Sequence, residues 1–347
     1  MFSTAAWPKT NFDKTLVDLD EIISGGPPKD GIPAIDDPNF VSAEQAGVWL
    51  DAREPVIAVT LNGDARAYPL QILIYHEIVN DRIGGVPVSV TFCPLCNACI
   101  VFDRRVDQRV LDFGTTGKLR KSDLVMYDRQ TESWWQQFSG RAIVGDLAGT
   151  ELERIPASIV AFESFERAHP DGRVLSRDTG HRRPYGRNPY RGYDSIDDQP
   201  FLFMDPVDPR LPPMERVLNI TVDDQHRLYP FSLFAEQPVI NDEVGGVPVV
   251  VMSRRGTLSV LDDGNIRKSR TVPSATAYER RLDGRVLTFE RRDGSIVDRD
   301  TGSEWDLFGN AVAGPLKGRR LTPTQSGLHF AFAWLAFNPD SEIYGRE

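Results

Sequence analysis

The sequence predicts an α+β protein, strand-rich with short helices, built from two diverged tandem copies of one domain packed together. Three observations lead to this fold class: an internal repeat, short β-branched runs between turn residues, and an ordinary globular composition. The 347 residues suggest about two domains, and 40% hydrophobic with 26% charged residues is enough for a sizeable core.

The internal repeat rests on three pairs of strings in one register. The pairs are Arg66-Ala67-Tyr68-Pro69 with Arg227-Leu228-Tyr229-Pro230, Asn80-Asp81 with Asn241-Asp242, and Gly84-Gly85-Val86-Pro87-Val88 with Gly245-Gly246-Val247-Pro248-Val249. All share one offset (227 − 66 = 161). Later matches, such as Trp135 with Trp305, follow at other offsets because loops between retained elements tolerate insertions.

The repeat divides the chain into four parts. Residues 1–50 form an N-terminal extension and strap, 51–171 the first copy, 172–215 an irregular insert, and 216–347 a degenerate second copy. The insert is dense in Pro, Arg, Tyr and Asp, which favours a lid over a flexible linker. Within the first copy, we expect strands at 56–61 and 86–92, and helices at 70–79 and 158–169, with a counterpart helix at 328–338.

Charge and hydropathy narrow the classes of partner. The formal net charge is −10 and the pI about 5.1, which argues against nucleic acid and against an anionic membrane surface. No run of 18 apolar residues occurs, so we expect no membrane span. Because two packed copies bury what a homodimer would otherwise bury, we expect a monomer.

The strongest candidate site combines a histidine with clustered cysteines. His76-Glu77 lies on the first predicted helix, and Cys93, Cys96 and Cys99 follow a predicted strand within seven residues. Three cysteines so close are not a disulfide framework but suit a metal or redox site. At the offset of 161 every one of these positions changes, for example His76 to Gln237, and such joint loss indicates one functional unit.

Three kinds of chemistry remain open at this cluster. The first is a metal site of His76, Cys93 and Cys96, with Cys99 or Met126 added, where a thioether favours copper over zinc. The second is a Cys93–Cys96 thiol–disulfide pair, and the third an iron–sulfur cluster with His76 as fourth ligand.

The leading functional hypothesis is a metal-binding protein that acts as an oxidoreductase or a metal carrier. Its partner would be a small molecule or a metal donor or acceptor, and His76, Glu77, Cys93 and Cys96 would carry any catalysis. A non-catalytic binding or scaffold protein is a further alternative.

Four strings resemble one family across nearly the whole chain. They are residues 23–33, Tyr75-His76-Glu77-Ile78-Val79-Asn80-Asp81, Thr91-Phe92-Cys93-Pro94-Leu95-Cys96-Asn97 and residues 122–129. These look like the bacterial and archaeal domain-of-unknown-function family 3179, which implies no settled activity. The resemblance implies that His76, Glu77, Cys93 and Cys96 matter and that Cys99 departs from the pattern. Family members often carry an export signal before a stretch like Phe2-Ser3-Thr4, which implies an extracytoplasmic rather than a cytoplasmic location.

Overall fold

A computed structural model describes residues 4–346, so Phe2 and Ser3 of the predicted mature start lie outside the described residues. The chain is α+β and strand-rich with short helices, as the sequence predicts. In the part described, no helix is long and apolar enough to cross a membrane.

The first half contains sixteen strands and three α-helices. The strands are β1 (Ile22–Ser24), β2 (Phe40–Ser42), β3 (Pro55–Leu61), β4 (Asp64–Pro69), β5 (Ile78–Ile83), β6 (Val86–Cys93), β7 (Ala98–Asp103), β8 (Arg105–Val106), β9 (Arg109–Val110), β10 (Phe113–Arg120), β11 (Asp123–Asp128), β12 (Trp134–Gln136), β13 (Arg141–Val144), β14 (Arg154–Ile155), β15 (Ser158–Ala161) and β16 (Arg173–Leu175). The helices are α1 (Ala43–Ala46), α2 (Leu70–Leu73) and α3 (Phe162–Ala168). Short 3-10 helices occupy Thr4–Ala6, Leu19–Glu21 and Pro94–Cys96.

The second half repeats this order with fourteen strands and one α-helix. The strands are β17 (Arg216–Val222), β18 (Gln225–Pro230), β19 (Val239–Val244), β20 (Val247–Leu258), β21 (Thr271–Glu279), β22 (Arg281–Leu282), β23 (Arg285–Val286), β24 (Phe289–Arg292), β25 (Ser295–Asp298), β26 (Glu304–Trp305), β27 (Ala311–Ala313), β28 (Thr322–Pro323), β29 (Gln325–Phe330) and β30 (Glu342–Ile343). The helix is α4 (Ala331–Phe337), and 3-10 helices span Phe231–Ala235 and Ile266–Lys268.

The sheets of the two halves have corresponding strand orders. The first half forms β1-β10-β11-β12-β13, β14-β7-β6-β5 and β15-β3-β4-β16-β2. The second half forms β24-β25-β26-β27, β28-β21-β20-β19 and β29-β17-β18-β30. Each half adds one two-stranded ribbon, β8-β9 and β22-β23. This recurrence supports the internal duplication, which stays a prediction.

Buried polar contacts recur together with the strands. Trp135 Nε1 donates to Asp128 Oδ2 at 2.9 Å, and Trp305 Nε1 donates to Asp298 Oδ2 at the same distance. The amides of Asn80 and Asn241 each donate to the carbonyl of a phenylalanine that opens a strand. Since a buried polar group without a partner is costly, these pairs fix the same register in both halves.

The two halves pack through reciprocal contacts. Strand β15 packs against β21, and its counterpart β29 packs against β7. Phe337 at the end of α4 stacks on Phe138 with ring centroids 4.8 Å apart, while His169 after α3 contacts Phe308 at 5.1 Å. Exchanged contacts of this kind are what a pseudo-twofold axis produces. Each half therefore helps to cover the core of the other.

Three predicted helices are shorter than expected. Only Leu70–Leu73 of residues 70–79 is α-helical, and Ile78 already belongs to β5. The segments 158–169 and 328–338 each begin as a strand, because β15 pairs with β3 and β29 with β17 before α3 and α4 start. Sheet pairing outweighs an apolar spacing that also fits a helix.

Candidate functional site

Two thiols and one carboxylate meet inside the first half. Cys93 ends β6, Cys96 ends the following 3-10 helix, and Asp123 begins β11. Their ligand atoms all lie within 4.8 Å of one another, and all three side chains are buried. Within residues 4–346, no other group of three or more His, Cys, Asp or Glu side chains is this close. We call these three residues the dithiol–carboxylate cluster.

The carboxylate of Asp123 is held by one of its two oxygens. Oδ2 accepts hydrogen bonds from Gln136 Nε2 at 2.6 Å and from the Phe138 amide at 2.8 Å. Oδ1 has no hydrogen-bond partner, and the two thiols lie beside the carboxylate. Burial raises the pKa of Asp123 to about 7 despite these hydrogen bonds. Hydrogen bonds therefore fix Oδ2, and Oδ1 remains free to bind a ligand.

Glu77 brings a second carboxyl group close to the cluster. Its backbone is left-handed, with φ of 59°, which ends the turn after α2 and starts β5. The side chain is buried and has no hydrogen-bond donor among the described residues. Burial, reinforced by the charge of Asp123, raises the pKa of Glu77 to about 8. A carboxyl group this isolated is costly in its ionised form.

Both thiols of the cluster lie in surroundings that disfavour a thiolate. Burial raises the pKa of Cys93 and raises that of Cys96 well above its ordinary value, and nearby Asp123 adds to both effects. Both sulfur atoms face the Ser122 carbonyl oxygen, at 3.9 Å from Cys93 and 3.5 Å from Cys96. Four groups that can become anionic, counting Glu77, therefore share one buried volume.

The turn that presents this carbonyl is conformationally unusual. Lys121 and Ser122 link β10 to β11 as a two-residue turn, with φ of 54° and 65°. Such a turn requires positive φ at both residues and favours Asn-Gly or Asp-Gly. The corresponding turn between β24 and β25 is Asp293-Gly294. The first half therefore places non-glycine residues in strained backbone beside the thiols.

His76 lies near the cluster in sequence but is not part of it. Its Nδ1 faces the Pro33 carbonyl at 2.7 Å, and its Nε2 faces the Tyr185 hydroxyl at 2.7 Å. A carbonyl only accepts, so Nδ1 carries the proton and Nε2 accepts from Tyr185. Burial lowers the pKa of His76 to about 4. Both nitrogens are occupied, which differs from the metal-ligand role predicted for His76.

Cys99 and Met126 also lie outside the cluster. Strand β7 places Cys99 opposite Phe92, and burial raises the pKa of its thiol. Met126 is fully buried on β11, three residues after Asp123. Met126 packs in the same core cluster as Cys93 and Cys96, whereas Val125 and Tyr127 on the same strand pack in another. Cys99 does not join the group of Cys93 and Cys96, and the ligand role of Met126 stays a prediction.

The insert covers this site from the outside. Tyr193 donates to the Leu95 carbonyl at 2.9 Å, and Ser122 Oγ donates to the Phe201 carbonyl at 2.5 Å. Tyr190 lies close enough to Glu77 that this carboxylate raises the pKa of the Tyr190 phenol, although burial is the larger cause. Residues of the insert therefore contact the cluster and its neighbours, and the lid role of residues 172–215 stays a prediction.

Second-half residues fasten the insert over the site. The buried carboxylate of Asp194 pairs with Arg216 at 2.7 Å and with Arg270 at 2.9 Å. Lys121, beside the cluster, donates to the Ala336 carbonyl of α4 at 3.0 Å. The second half thus contributes to the cover without contributing a side chain to the cluster.

Sequence reasoning missed Asp123 as a site residue. It lies thirty positions after Cys93 (123 − 93 = 30), so no local spacing links the two. The β10–β11 hairpin brings it there. The available signal was its position inside residues 122–129, one of the strings that carry the family resemblance.

The comparisons with known proteins give a family and no activity. The profile of a family described as "Protein of unknown function (DUF3179)" matches residues 29–341, which is nearly the whole chain. No curated protein and no solved structure matches the chain.

Proposed function

Since the chain belongs to the family of proteins of unknown function DUF3179, whose description assigns no activity, we propose a function from the site itself. We propose that the dithiol–carboxylate cluster binds one divalent metal ion, with Cys93, Cys96 and Asp123 as ligands. Glu77 lies outside that group but interacts with Asp123, and its side chain would turn toward the ion to become the fourth ligand. The predicted role of metal carrier fits this site better than that of oxidoreductase.

One observation carries the proposal: four acidic groups lie near one another, buried and without an ion pair, and the nearest cation that acts on Asp123, the Arg154 guanidinium, does so only through space. Among residues 4–346, no Lys, Arg or His nitrogen forms an ion pair with Asp123 or Glu77 within 4.0 Å. Burial raises the pKa of all four groups, as expected where charge has no counterion. A bound cation would reverse this, because a metal deprotonates its ligands.

The donor set favours zinc over the copper suggested by the sequence. The argument for copper rested on sulfur and imidazole ligands from Met126 and His76, whereas the group that the side chains form contains a carboxylate and no imidazole. Two thiolates with carboxylate oxygens suit Zn²⁺, which accepts sulfur and oxygen ligands in tetrahedral geometry. Cu(I) prefers soft sulfur ligands and gains little from carboxylates. Zn²⁺ has no redox chemistry of its own, which is why a carrier role is preferred.

A zinc titration of the untagged, chelator-stripped protein tests the proposal. A competing chromophoric chelator should report one tight equivalent per chain. Cys96→Ser and Asp123→Asn should each weaken binding by at least roughly tenfold to a hundredfold, as loss of ligand-shell residues does. Cys99→Ser is the matched control, because Cys99 is an equally buried thiol outside the cluster.

Two results would contradict the proposal. The first is a wild-type protein that binds less than about a tenth of an equivalent of zinc under these conditions. The second is a Cys99→Ser variant that loses affinity as much as Cys96→Ser does.

The thiol–disulfide hypothesis is the second candidate, because the sulfur atoms of Cys93 and Cys96 lie within 4.8 Å of each other. Its weakness is that a reactive thiol is accessible and has a lowered pKa, whereas both thiols are buried with raised pKa. Alkylation at graded pH separates the two functions. Rapid modification of Cys93 near neutral pH, with no protection by zinc, would favour the redox function.

A further inference from the structure

The dithiol–carboxylate cluster is closed to solvent, so an ion can reach it only if part of its cover moves. Cys93, Cys96 and Asp123 each have at most 1% of their surface exposed. Two elements contact the cluster and its neighbours from outside: the end of α4, which accepts from Lys121, and the insert. Helix α4 is packed into the core along most of its length, whereas residues 176–215 contain no strand or helix. The insert is therefore the cover with the weaker attachment.

The insert is fixed at two anchors, with a loose segment between them. The buried carboxylate of Asp194 forms ion pairs with two arginines of the second half. Arg210 donates to two backbone carbonyls in the segment after α4, at 2.5 and 2.8 Å. Residues 195–207 lie between these anchors, and we call them the flap. The flap buries little of its own apolar surface, since Phe201 and Met204 are 52% and 80% exposed.

The flap is attached to the site mainly through the backbone of Phe201. Ser122 Oγ donates to the Phe201 carbonyl at 2.5 Å, and the Phe201 amide donates to the Tyr193 hydroxyl at 3.2 Å. Across residues 4–346, the only other polar contact between the flap and the first half is the ion pair of Lys121 with Asp205, at 3.3 Å. This pair is partly exposed, and exposed ion pairs contribute little. The two hydrogen bonds on Phe201 are therefore the latch of the flap.

The residue after this latch has a strained backbone. Leu202 has φ of 53°, in the left-handed region, where the Cβ of an L-residue crowds a neighbouring carbonyl. Such a conformation persists only where the surrounding structure holds it, and it is typical of clamps and switch segments. The bonds on the adjacent Phe201 provide that restraint. Breaking them lets Leu202 relax, so the closed flap is poised to open.

We infer that the flap opens between its two anchors and gives a metal ion its route to the dithiol–carboxylate cluster. Ser122 connects the flap to the cluster, because its hydroxyl holds Phe201 while its carbonyl oxygen faces both sulfur atoms. The route serves the zinc site of the proposed function and rests on it in that respect. The opening itself is a property of the metal-free protein, so it can be measured without zinc.

Thiol labelling of the metal-free full chain measures this opening. The protein is treated with N-ethylmaleimide in the presence of a chelator, and tandem mass spectrometry follows the modification of Cys96. Ser122→Ala and Tyr193→Phe each remove a hydrogen bond to Phe201. Each variant should raise the labelling rate of Cys96 at least about fivefold, the factor that corresponds to one net hydrogen bond.

Ser253→Ala is the matched control for a general loss of stability. Ser253 is also buried, and its hydroxyl also donates to a backbone carbonyl, at 2.8 Å, but it lies in the second half and outside the flap. This variant should leave the labelling rate of Cys96 unchanged. The inference is overturned if either latch variant labels no faster than wild type. It is also overturned if Ser253→Ala raises the rate as much as they do, because labelling would then follow unfolding of the whole chain.

Zinc release separates this inference from the proposed function. A chromophoric chelator in excess should take zinc from Ser122→Ala at least about fivefold faster than from wild type, in line with the labelling rates. Zinc that binds but leaves both proteins equally fast would overturn the flap as the route. Faster labelling of the latch variants in a protein that binds no zinc would reject the proposed function and leave the flap in place.

Discussion

Replacing Asp123 by Asn should make the metal-free protein more stable at alkaline pH. The amide oxygen can still accept from Gln136 and from the Phe138 amide, while the new N–H₂ takes the position of Oδ1, which has no hydrogen-bond partner. The variant loses only the buried charge. Burial raises the pKa of Asp123 from 3.8 to about 7, which corresponds to roughly 4 kcal/mol between the two protonation states.

The sign of the effect follows from the two pKa values. The unfolded carboxyl ionises above its ordinary pKa of 3.8, but the folded one only above about 7. The stabilisation is therefore complete below the unfolded pKa and is lost as pH rises through the folded pKa. Between about pH 5 and about pH 8, the wild type should lose roughly 2–3 kcal/mol of unfolding free energy relative to Asp123→Asn.

Urea denaturation in the presence of a chelator measures this difference. Asp128→Asn is the control on the same strand, because the Asp128 carboxylate accepts hydrogen bonds from Thr131 and Trp135. That variant should be destabilised, since one of these donors would face an amide N–H₂. Parallel pH profiles for wild type and Asp123→Asn would refute the reasoning, as would an Asp123→Asn protein less stable than wild type at about pH 8.

Three further perturbations test other parts of the site. Ser122→Gly should exceed Ser122→Ala in urea-unfolding free energy by about 1 kcal/mol, because both variants lose the Oγ hydrogen bond to Phe201 and only glycine adopts the positive φ without strain; an equal or lower value would contradict the strained turn. Tyr185→Phe should lower the unfolding free energy by about 1–2 kcal/mol, because it leaves His76 Nε2 without its donor. Zinc affinity should not change, and a large loss of zinc affinity would indicate that His76 is a ligand. A fragment of residues 1–171 should not fold cooperatively, because Phe138 would lose its stacking partner Phe337; a cooperative calorimetric transition would show that the halves are independent.

The strands of the first half could be predicted from sequence because their signals are local. Residues 56–61 and 86–92 are apolar, β-branched runs bounded by turn residues, and they form β3 and β6. The helices were overestimated for a nonlocal reason. Residues 158–161 carry apolar spacing that suits a helix as well as a strand, and only pairing with β3 decides between them.

The site was predicted in part, and the missing part depends on tertiary structure. Cys93 and Cys96 are neighbours along the chain, so their pairing was visible as a motif. His76 was included because a hairpin could return it to the strand end, but the insert engages it through Tyr185 instead. Asp123 lies on β11, which belongs to a different sheet from β6, the strand that carries Cys93. No periodicity in the sequence predicts which two sheets pack together.

The distribution of backbone strain agrees with the location of the candidate site in the first half. Glu77, Asn97 and Ser122 all have positive φ, and all three adjoin the thiols. The second half replaces Glu77 by Pro238, whose ring cannot adopt positive φ, and uses Gly294 at the end of its tight turn. Residues in sparsely populated conformations persist only where the surrounding structure holds them. The second half, through α4 and the anchors of the insert, supplies part of that holding structure.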